Sequence, residues 1–271
     1  MEKKDVFVST IKGFITGILS LIPGLTIASV MMSTNSYDNL IEGLSSLPNK
    51  KNKALQYVAI PIIIGVVLGF IAGFKWVNIA WGKFQLQILF LLIGLFLGGI
   101  FIVFKKEKLI LSKKNILIPL GIITIAIVLI YVLKDTHLVI NNIFIKTIFL
   151  GLITSMSLVI PGISVSSVHV KGEYDVVLNA IKHLTVFNNI LVVCVFSIIV
   201  LLVLLTAAKI IKKCTCKNKN ITYIILCSLV FVNIIILCIQ VKSIKLDFTT
   251  IFTSLLSFLW GFIFAKNVAK E

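Results

Sequence analysis

The sequence contains no arginine, and only ten of its 271 residues are Asp or Glu. The arginine-dependent signatures of membrane phosphatases are therefore excluded, and neither a paired acidic metal motif nor HExxH occurs. No polar stretch is long enough to form a soluble domain, because 59% of the residues are hydrophobic and 13% are charged. The composition indicates a membrane protein, and we expect it to be no enzyme, with no catalytic residue and no metal.

Acidic residues are so few that the 26 basic residues, all lysines, leave a net charge of +16. The lysines lie in short loops between apolar segments, which is the distribution that membrane topology produces, so we expect no nucleic acid partner. Cysteine is also sparse, with five residues. Cys214 and Cys216 form a Cys-x-Cys pair without nearby histidines, which is a weak metal signal, and no disulfide framework is expected.

A short motif occurs twice: residues 22–26 are IPGLT and residues 160–164 are IPGIS. Each copy lies within an apolar run that contains no Lys, Asp or Glu, and each is followed by a Tyr-Asp pair. Pro-Gly inside a membrane helix is costly because proline removes a hydrogen-bond donor and glycine loosens the backbone. In lipid, the freed backbone groups must face protein or a wet cavity. Two such breaks predict a transporter made of two related halves, with its site at the breaks.

The number of lysines in each loop decides how the two Pro-Gly segments enter the membrane. If every apolar segment crosses, the two sides hold 14 and 12 lysines. If the two Pro-Gly segments are re-entrant hairpins, the sides hold 18 and eight, which the positive-inside rule favours. Both termini and the loops at 34–53, 105–115 and 209–220 are then cytoplasmic, while the loops at 75–85 and 171–186 face outward.

The predicted fold is therefore an all-α polytopic membrane protein with two inverted repeats, residues 1–133 and 134–271. Each repeat contains one re-entrant helical hairpin and three transmembrane helices, an odd number of crossings, so the second hairpin enters from the opposite face. The hairpins are predicted at 6–40 and 143–175, and the crossings at 54–74, 86–104, 116–133, 187–208, 221–239 and 246–265. Each hairpin arm reaches about half of the hydrocarbon core, so the two Pro-Gly tips should meet near the midplane.

These motifs resemble those of the bacterial polyprenyl-phosphate (undecaprenyl-phosphate) translocases. The first signature covers residues 12–17 (KGFITG), the first Pro-Gly and residues 37–41 (YDNLI), and the second covers residues 160–164 with Gly172 and Tyr174. Residues 65–106 also look like that family. Residues 26–29 (TIAS) stand where the family has Ser-Gly-Gly-Thr, and Asn35 replaces a later glycine, so the chain resembles a divergent member.

The resemblance implies a multi-pass protein of the bacterial plasma membrane. Its partner would be undecaprenyl phosphate or a similar polyprenyl-phosphate lipid, returned from the outer to the inner leaflet for cell-wall synthesis. Beyond each Pro-Gly, the second hairpin arm should begin with unpaired N–H groups and a positive dipole end, which suit a phosphate. Glycines let the backbone approach the phosphate, and hydroxyl groups add hydrogen-bond donors. Alternatively, the hydroxyl groups form hydrogen bonds only to the backbone of their own helices. The predicted phosphate-binding residues are Gly24, Thr26, Ser29, Gly162, Ser164, Ser166 and Ser167.

His169 is the ionisable side chain within the second apolar run, and it could relay a proton or contact the anion together with Lys171. We favour the alternative that both are ordinary residues near the membrane surface. No cofactor is expected; coupling to a proton or sodium gradient and the oligomeric state remain open. The alternatives to a flippase are a transporter of another lipid or anion, a membrane enzyme that acts on lipid phosphates, and a divergent paralogue with a structural or regulatory role.

Overall fold

The computed structural model describes residues 2–22, 25–46, 58–110, 113–133, 142–162, 180, 183, 186–241 and 247–268. Within these ranges the regular structure is helical throughout. The helices are α1 (Glu2–Leu19), α2 (Ile27–Ser33), α3 (Tyr37–Ser45), α4 (Ile60–Lys106), α5 (Lys113–Leu133), α6 (Ile143–Val159), α7 (Phe187–Lys217), α8 (Lys219–Val241) and α9 (Phe248–Val268). The all-α prediction is confirmed for this part of the chain.

Four described segments are long and apolar enough to cross a membrane: Ile79–Lys106, Phe187–Lys217, Lys219–Val241 and Phe248–Asn267. They contain the crossings predicted at 86–104, 187–208 and 221–239, and they include residues 248–265 of the crossing predicted at 246–265. The crossings predicted at 54–74 and 116–133 correspond to the shorter apolar helices Ile60–Gly73 and Ile116–Val128. Two more short apolar helices, Val6–Leu19 and Ile143–Val159, precede the two Pro-Gly motifs. The polytopic character follows from these helices and from their lipid-compatible surfaces.

Two segments predicted as loops are helical, and a third, at 34–53, contains α3. Residues 75–85 belong to α4, in which only Phe84 leaves helical geometry, with φ −128° and ψ 35°. The lysine-rich segment 209–220 mostly continues α7, which ends at Lys217, and Asn218 is the single residue between α7 and α8. Lysine counts report the side of the membrane and carry no information on backbone conformation, since lysine is a good helix former.

Glycines set the packing of α1 on the first part of α4. A Cβ atom placed on Gly65 would lie 2.2 Å from the Thr10 carbonyl oxygen, and one on Gly69 would lie 2.0 Å from that of Phe14. Such backbone contact is possible only without side chains, as expected for small-xxx-small faces. The paired residue numbers rise together along both helices, so α1 and this part of α4 run parallel.

The second part of α4 packs in the same way on α9. A Cβ atom on Gly94 would lie 2.1 Å from the Phe258 carbonyl oxygen, and one on Gly98 would lie 3.0 Å from that of Phe262. Gln87 Nε2 donates to Thr253 Oγ1 over 3.2 Å at the start of the same pair. These two helices also run parallel.

The core surrounds α2, whose residues 28–33 are all buried. Met31 and Val30 pack among Leu92 and Phe96 of α4 and Val230 of α8. In contrast, α7 is largely exposed along its apolar length; for example, Leu201 and Leu202 are 57% and 60% exposed. An apolar helix with an exposed apolar surface is expected where lipid, rather than water, is the solvent.

Candidate functional site

The first Pro-Gly motif lies between two helices. α1 ends at Leu19, and α2 begins after Thr26, whose backbone is extended at φ −121° and ψ 147°. Thr26 is the N-cap of α2, because its Oγ1 accepts a hydrogen bond of 3.1 Å from Ser29 N. An N-cap hydroxyl satisfies one of the free N–H groups at the start of a helix. A helix break stands at the first motif, as the sequence predicts.

Thr26 and Ser29 belong to a buried polar cluster. Their hydroxyls are hydrogen-bonded to each other, and Ser29 Oγ is 3.1 Å from the Thr26 carbonyl oxygen, to which it donates. Asn233 of α8 reaches the same point and donates from Nδ2 to Ser29 Oγ over 2.9 Å. Thr26 is 3% exposed, and Ser29 and Asn233 are fully buried. The cluster joins the first helix break to a residue near the middle of α8.

The side-chain oxygen of Asn233 has no hydrogen-bond partner in the described structure. A buried acceptor that is left unsatisfied costs about 1–3 kcal/mol. Asn233 is also a polar residue near the middle of an apolar helix of 23 residues. Polar groups at such positions are costly and commonly mark functional sites.

The second Pro-Gly motif follows α6 directly. Ile160 is extended, Pro161 is buried, and Gly162 has φ +90°. A Cβ atom on Gly162 would lie 2.6 Å from the backbone carbonyl oxygen of Leu229 in α8. A left-handed residue in close contact with another backbone requires glycine. A side chain at Gly162 would therefore strain the turn, and the group beside its Cα is the α8 backbone.

The middle of α8 therefore contacts both helix breaks. Leu229 meets Gly162, and Asn233, one helical turn further on, meets Ser29. A third contact joins the breaks directly, because the buried Tyr37 hydroxyl donates to the Val159 carbonyl oxygen over 2.7 Å. Val159 is the last residue of α6, where carbonyl groups lack helical partners, so Tyr37 satisfies a free acceptor next to the second motif.

Of the predicted site residues, the structure brings Thr26 and Ser29 together and places Gly162 near them through α8. The predicted phosphate role of these three stays a prediction. The other predicted site residues lie outside the described part of the chain: Gly24, Ser164, Ser166, Ser167, His169 and Lys171. For Thr26 and Ser29 the described hydrogen bonds are local ones plus the bond from Asn233, so the local bonding considered above does occur.

A second polar cluster lies at one end of α8. Tyr223 OH donates to Asp38 Oδ1, and Lys106 Nζ lies 3.5 Å from Asp38 Oδ2. Lys219 Nζ is paired with Glu107 Oε2 at 2.5 Å, and this carboxylate belongs to a side chain that is only 6% exposed. The cluster joins the start of α3, the end of α4 and the start of α8.

Asn35, beside this cluster, explains how the chain tolerates a missing glycine. Its backbone has φ +55°, a left-handed conformation that asparagine adopts more readily than other non-glycine residues. Its Oδ1 accepts a hydrogen bond of 2.8 Å from Lys106 Nζ. The turn between α2 and α3 is therefore retained without glycine.

Sequence reasoning missed Asn233 and the partners of Tyr37 and Asp38. A signal for Asn233 was available, because it is a polar amide inside the apolar segment 221–239. No comparable signal exists for Tyr37–Val159 or for Asp38–Tyr223, since both pairs join distant parts of the chain.

Comparison with known proteins places this geometry in context. A family model described as "VCA0040-like: Undecaprenyl phosphate translocase-like" matches residues 13–243. The match covers both Pro-Gly motifs and α8, and it confirms the resemblance that the motifs indicate. Searches of curated proteins and of solved structures returned no match.

Proposed function

Because the chain belongs to the undecaprenyl phosphate translocase-like family, we propose that it is a flippase for undecaprenyl phosphate or a similar polyprenyl phosphate. It would return this carrier lipid from the outer to the inner leaflet of the bacterial plasma membrane for cell-wall synthesis. The family favours a transporter over an enzyme.

One observation carries the proposal: both helix breaks contact the middle of the same apolar helix, at Leu229 and Asn233 of α8. If α8 crosses the bilayer, both breaks lie near its midplane. A charged phosphate cannot cross hydrocarbon unaided, because burying an unpaired charge is costly. Polar backbone at helix breaks from two related halves is the arrangement used for midplane substrate sites in transporters.

The pattern of helix contacts supports two related halves, each of which packs one helix against the other half. α1 packs on the first part of α4, as α6 packs on α7. α9 of the second half packs on the second part of α4, and α5 of the first half packs on α8. Corresponding helices of the two proposed repeats thus have corresponding neighbours, so a small rocking motion at shared interfaces could open the site to either leaflet.

The polar cluster at the end of α8 supports the proposed topology. Three segments meet there: residues 35–38, 106–110 and 219–223. The Asn220 side chain accepts a hydrogen bond from the Ile110 backbone N–H and donates one to the Ile110 carbonyl oxygen. These residues come from or adjoin the three internal loops that the lysine distribution assigns to the cytoplasm. The parallel directions of α1 with α4 and of α4 with α9 agree with the same topology.

The proposal is tested in a bacterium that lacks its own translocases and depends on this protein. Surface-exposed undecaprenyl phosphate should return to the low level of the parent strain. The double variant Thr26→Val, Ser29→Ala should let surface carrier accumulate while the protein remains in the membrane. The control is Thr124→Val, because Thr124 is on α5 and its described hydrogen bond is to Leu120 of its own helix.

Two results would contradict the proposal. Surface carrier that stays high although the protein is inserted would favour a structural or regulatory role, or another lipid or anion as substrate. Release of inorganic phosphate from the carrier by the purified protein would identify an enzyme.

A further inference from the structure

Asn233 is a buried amide whose hydrogen bonding is incomplete. Its Nδ2 donates to Ser29 Oγ, while its Oδ1 accepts from no group in the described structure. A residue that served only to connect α8 to α2 would need one hydrogen-bonding atom, whereas the Asn233 amide has two, Nδ2 and Oδ1. The unused oxygen is an acceptor held at the junction of the two helix breaks, and it requires a donor that the described residues do not supply.

The proposed substrate carries such a donor. A phosphate monoester with one proton has a P–OH group and further oxygens that only accept hydrogen bonds. Thr26 and Ser29 offer hydroxyl donors beside Asn233. In the described state the two hydroxyls bond to each other, and Ser29 Oγ also accepts from the amide N–H. The amide oxygen, the amide N–H and two hydroxyls therefore complement a protonated phosphate monoester.

We propose that Asn233 is a headgroup-binding residue, whose amide oxygen accepts the P–OH of the prenyl phosphate while Thr26 and Ser29 donate to its other oxygens. This inference rests on the proposed function and names the chemistry by which the site selects a monoester.

The described conformation is the closed state of this site. Thr26, Ser29 and Asn233 have almost no exposed surface, so a headgroup reaches them only when α2 separates from α8. Opening breaks the Ser29–Asn233 bond, and the phosphate then replaces it and also satisfies the amide oxygen. Substrate thus stabilises the open contact more fully than the protein groups stabilise the closed one.

The test uses the full chain in detergent micelles and three probes: geranylgeranyl phosphate, its methyl phosphodiester and geranylgeraniol. The diester keeps the negative charge but has no P–OH. Wild type should bind the monoester about tenfold more tightly than the diester, a difference of ~1.4 kcal/mol. Asn233→Leu should bind the monoester and the diester with equal, weaker affinity.

Ser228→Ala is the matched control, because Ser228 is a buried residue of α8 whose hydroxyl, among the described residues, bonds to Ile224 of its own helix. It should keep the wild-type ratio of monoester to diester affinity. If Asn233→Leu cannot be purified, Asn233→Ala is measured in the same way. The ratio does not depend on the folded fraction, so a loss of stability alone cannot change it.

The remaining outcomes test the role of Asn233 and the proposed function separately. If Asn233→Leu keeps the wild-type ratio, or if wild type does not distinguish monoester from diester, Asn233 does not bind P–OH and the inference is overturned. If wild type binds the phosphates no better than geranylgeraniol, the protein has no headgroup site and the proposed function itself fails.

Discussion

Gly162 stands at a backbone position that only glycine occupies without strain. Its φ is +90°, and the space for a Cβ atom is filled by the Leu229 carbonyl oxygen. From the sequence, a side chain at this position was expected to strain the turn and to block the approach of an anion. In the described structure the glycine makes room for α8, so its first role is to let the second helix break pack against that helix.

Gly162→Ala should lower the stability of the protein. Strain in a left-handed conformation costs of order 1–3 kcal/mol, and the contact with Leu229 adds to it. The measurement is thermal unfolding in detergent. Gly121→Ala is the control, because Gly121 lies within α5 and no atom in the described part of the chain lies within 4 Å of its Cβ position. An unchanged unfolding temperature for Gly162→Ala would contradict the described turn.

Tyr37 acts through its hydroxyl group. Tyr37→Phe would keep the buried ring but leave the Val159 carbonyl oxygen without this donor, in a residue that is fully buried. An unsatisfied buried acceptor costs about 1–3 kcal/mol, so the unfolding temperature should fall. Thr147→Val serves as a comparison, because Thr147 is a buried residue of α6 whose described hydrogen bond runs from its hydroxyl to the Ile143 carbonyl oxygen. If both variants lower the unfolding temperature equally, the hydrogen bond between the two breaks contributes no more to stability than a bond within one helix.

At the scale of elements, the packing of α1 on α4 depends on the absence of side chains at the contact. A Cβ atom on Gly69 would lie 2.0 Å from the Phe14 carbonyl oxygen, and one on Gly13 would lie 2.2 Å from that of Ile62. Both atoms in each clash belong to backbone or are fixed to it, so the helices can relieve it only by moving apart. The distance between α1 and α4 is therefore fixed, and this fixes the position of the first break, which follows α1.

Gly69→Ala should force α1 and α4 apart and destabilise the protein by about 1–3 kcal/mol, the usual cost of overpacking. Thermal unfolding measures this cost. Gly82→Ala is the matched control on the same helix, because no atom of the described residues lies within 4 Å of its Cβ position. Alanine favours a helix over glycine by up to about 1 kcal/mol, so this variant should be neutral or more stable. A neutral Gly69→Ala variant would contradict the close α1–α4 contact.

At the scale of the whole molecule, the helix contacts agree with the topology that the lysine distribution predicts. The lysines divide as 18 and eight between the two sides when the Pro-Gly segments are hairpins. The contacts bring residues 35–38 beside residues 106–110 and 219–223. A chain that turns back after the first motif, as we propose, would bring residues 35–38 to the side where α4 ends.

Single-cysteine labelling in intact cells tests this topology on a cysteine-free background. Glu42→Cys and Lys213→Cys should react with an impermeant maleimide only after permeabilisation, and Gly82→Cys should react from outside. These three positions are exposed, whereas the neighbouring Leu44 is 2% exposed and would label poorly. Labelling of Glu42→Cys from outside would rule out the first hairpin, while Lys213→Cys checks the orientation of the chain.

The sequence by itself determined the class of protein, the helices and the two breaks. Apolar runs interrupted by lysines specify membrane helices because hydrophobicity acts locally along the chain, and Pro-Gly interrupts a helix wherever it stands. For the same reason Thr26, Ser29 and Gly162 could be named in advance. The helical state of residues 75–85 and 209–217 was not predicted, because charge placement constrains the side of the membrane and not the backbone.

Only the tertiary structure decided what the breaks contact. Asn233 is 204 residues from Ser29, and Tyr37 is 122 residues from Val159. No local pattern encodes such pairs, because they form only when the packing of α2, α6 and α8 brings distant side chains to one depth. Thr26, Ser29 and Gly162 lie near each other because glycines allow the helices to approach and because both breaks pack on α8. The sequence thus identified the polar groups, and the packing selected their partners.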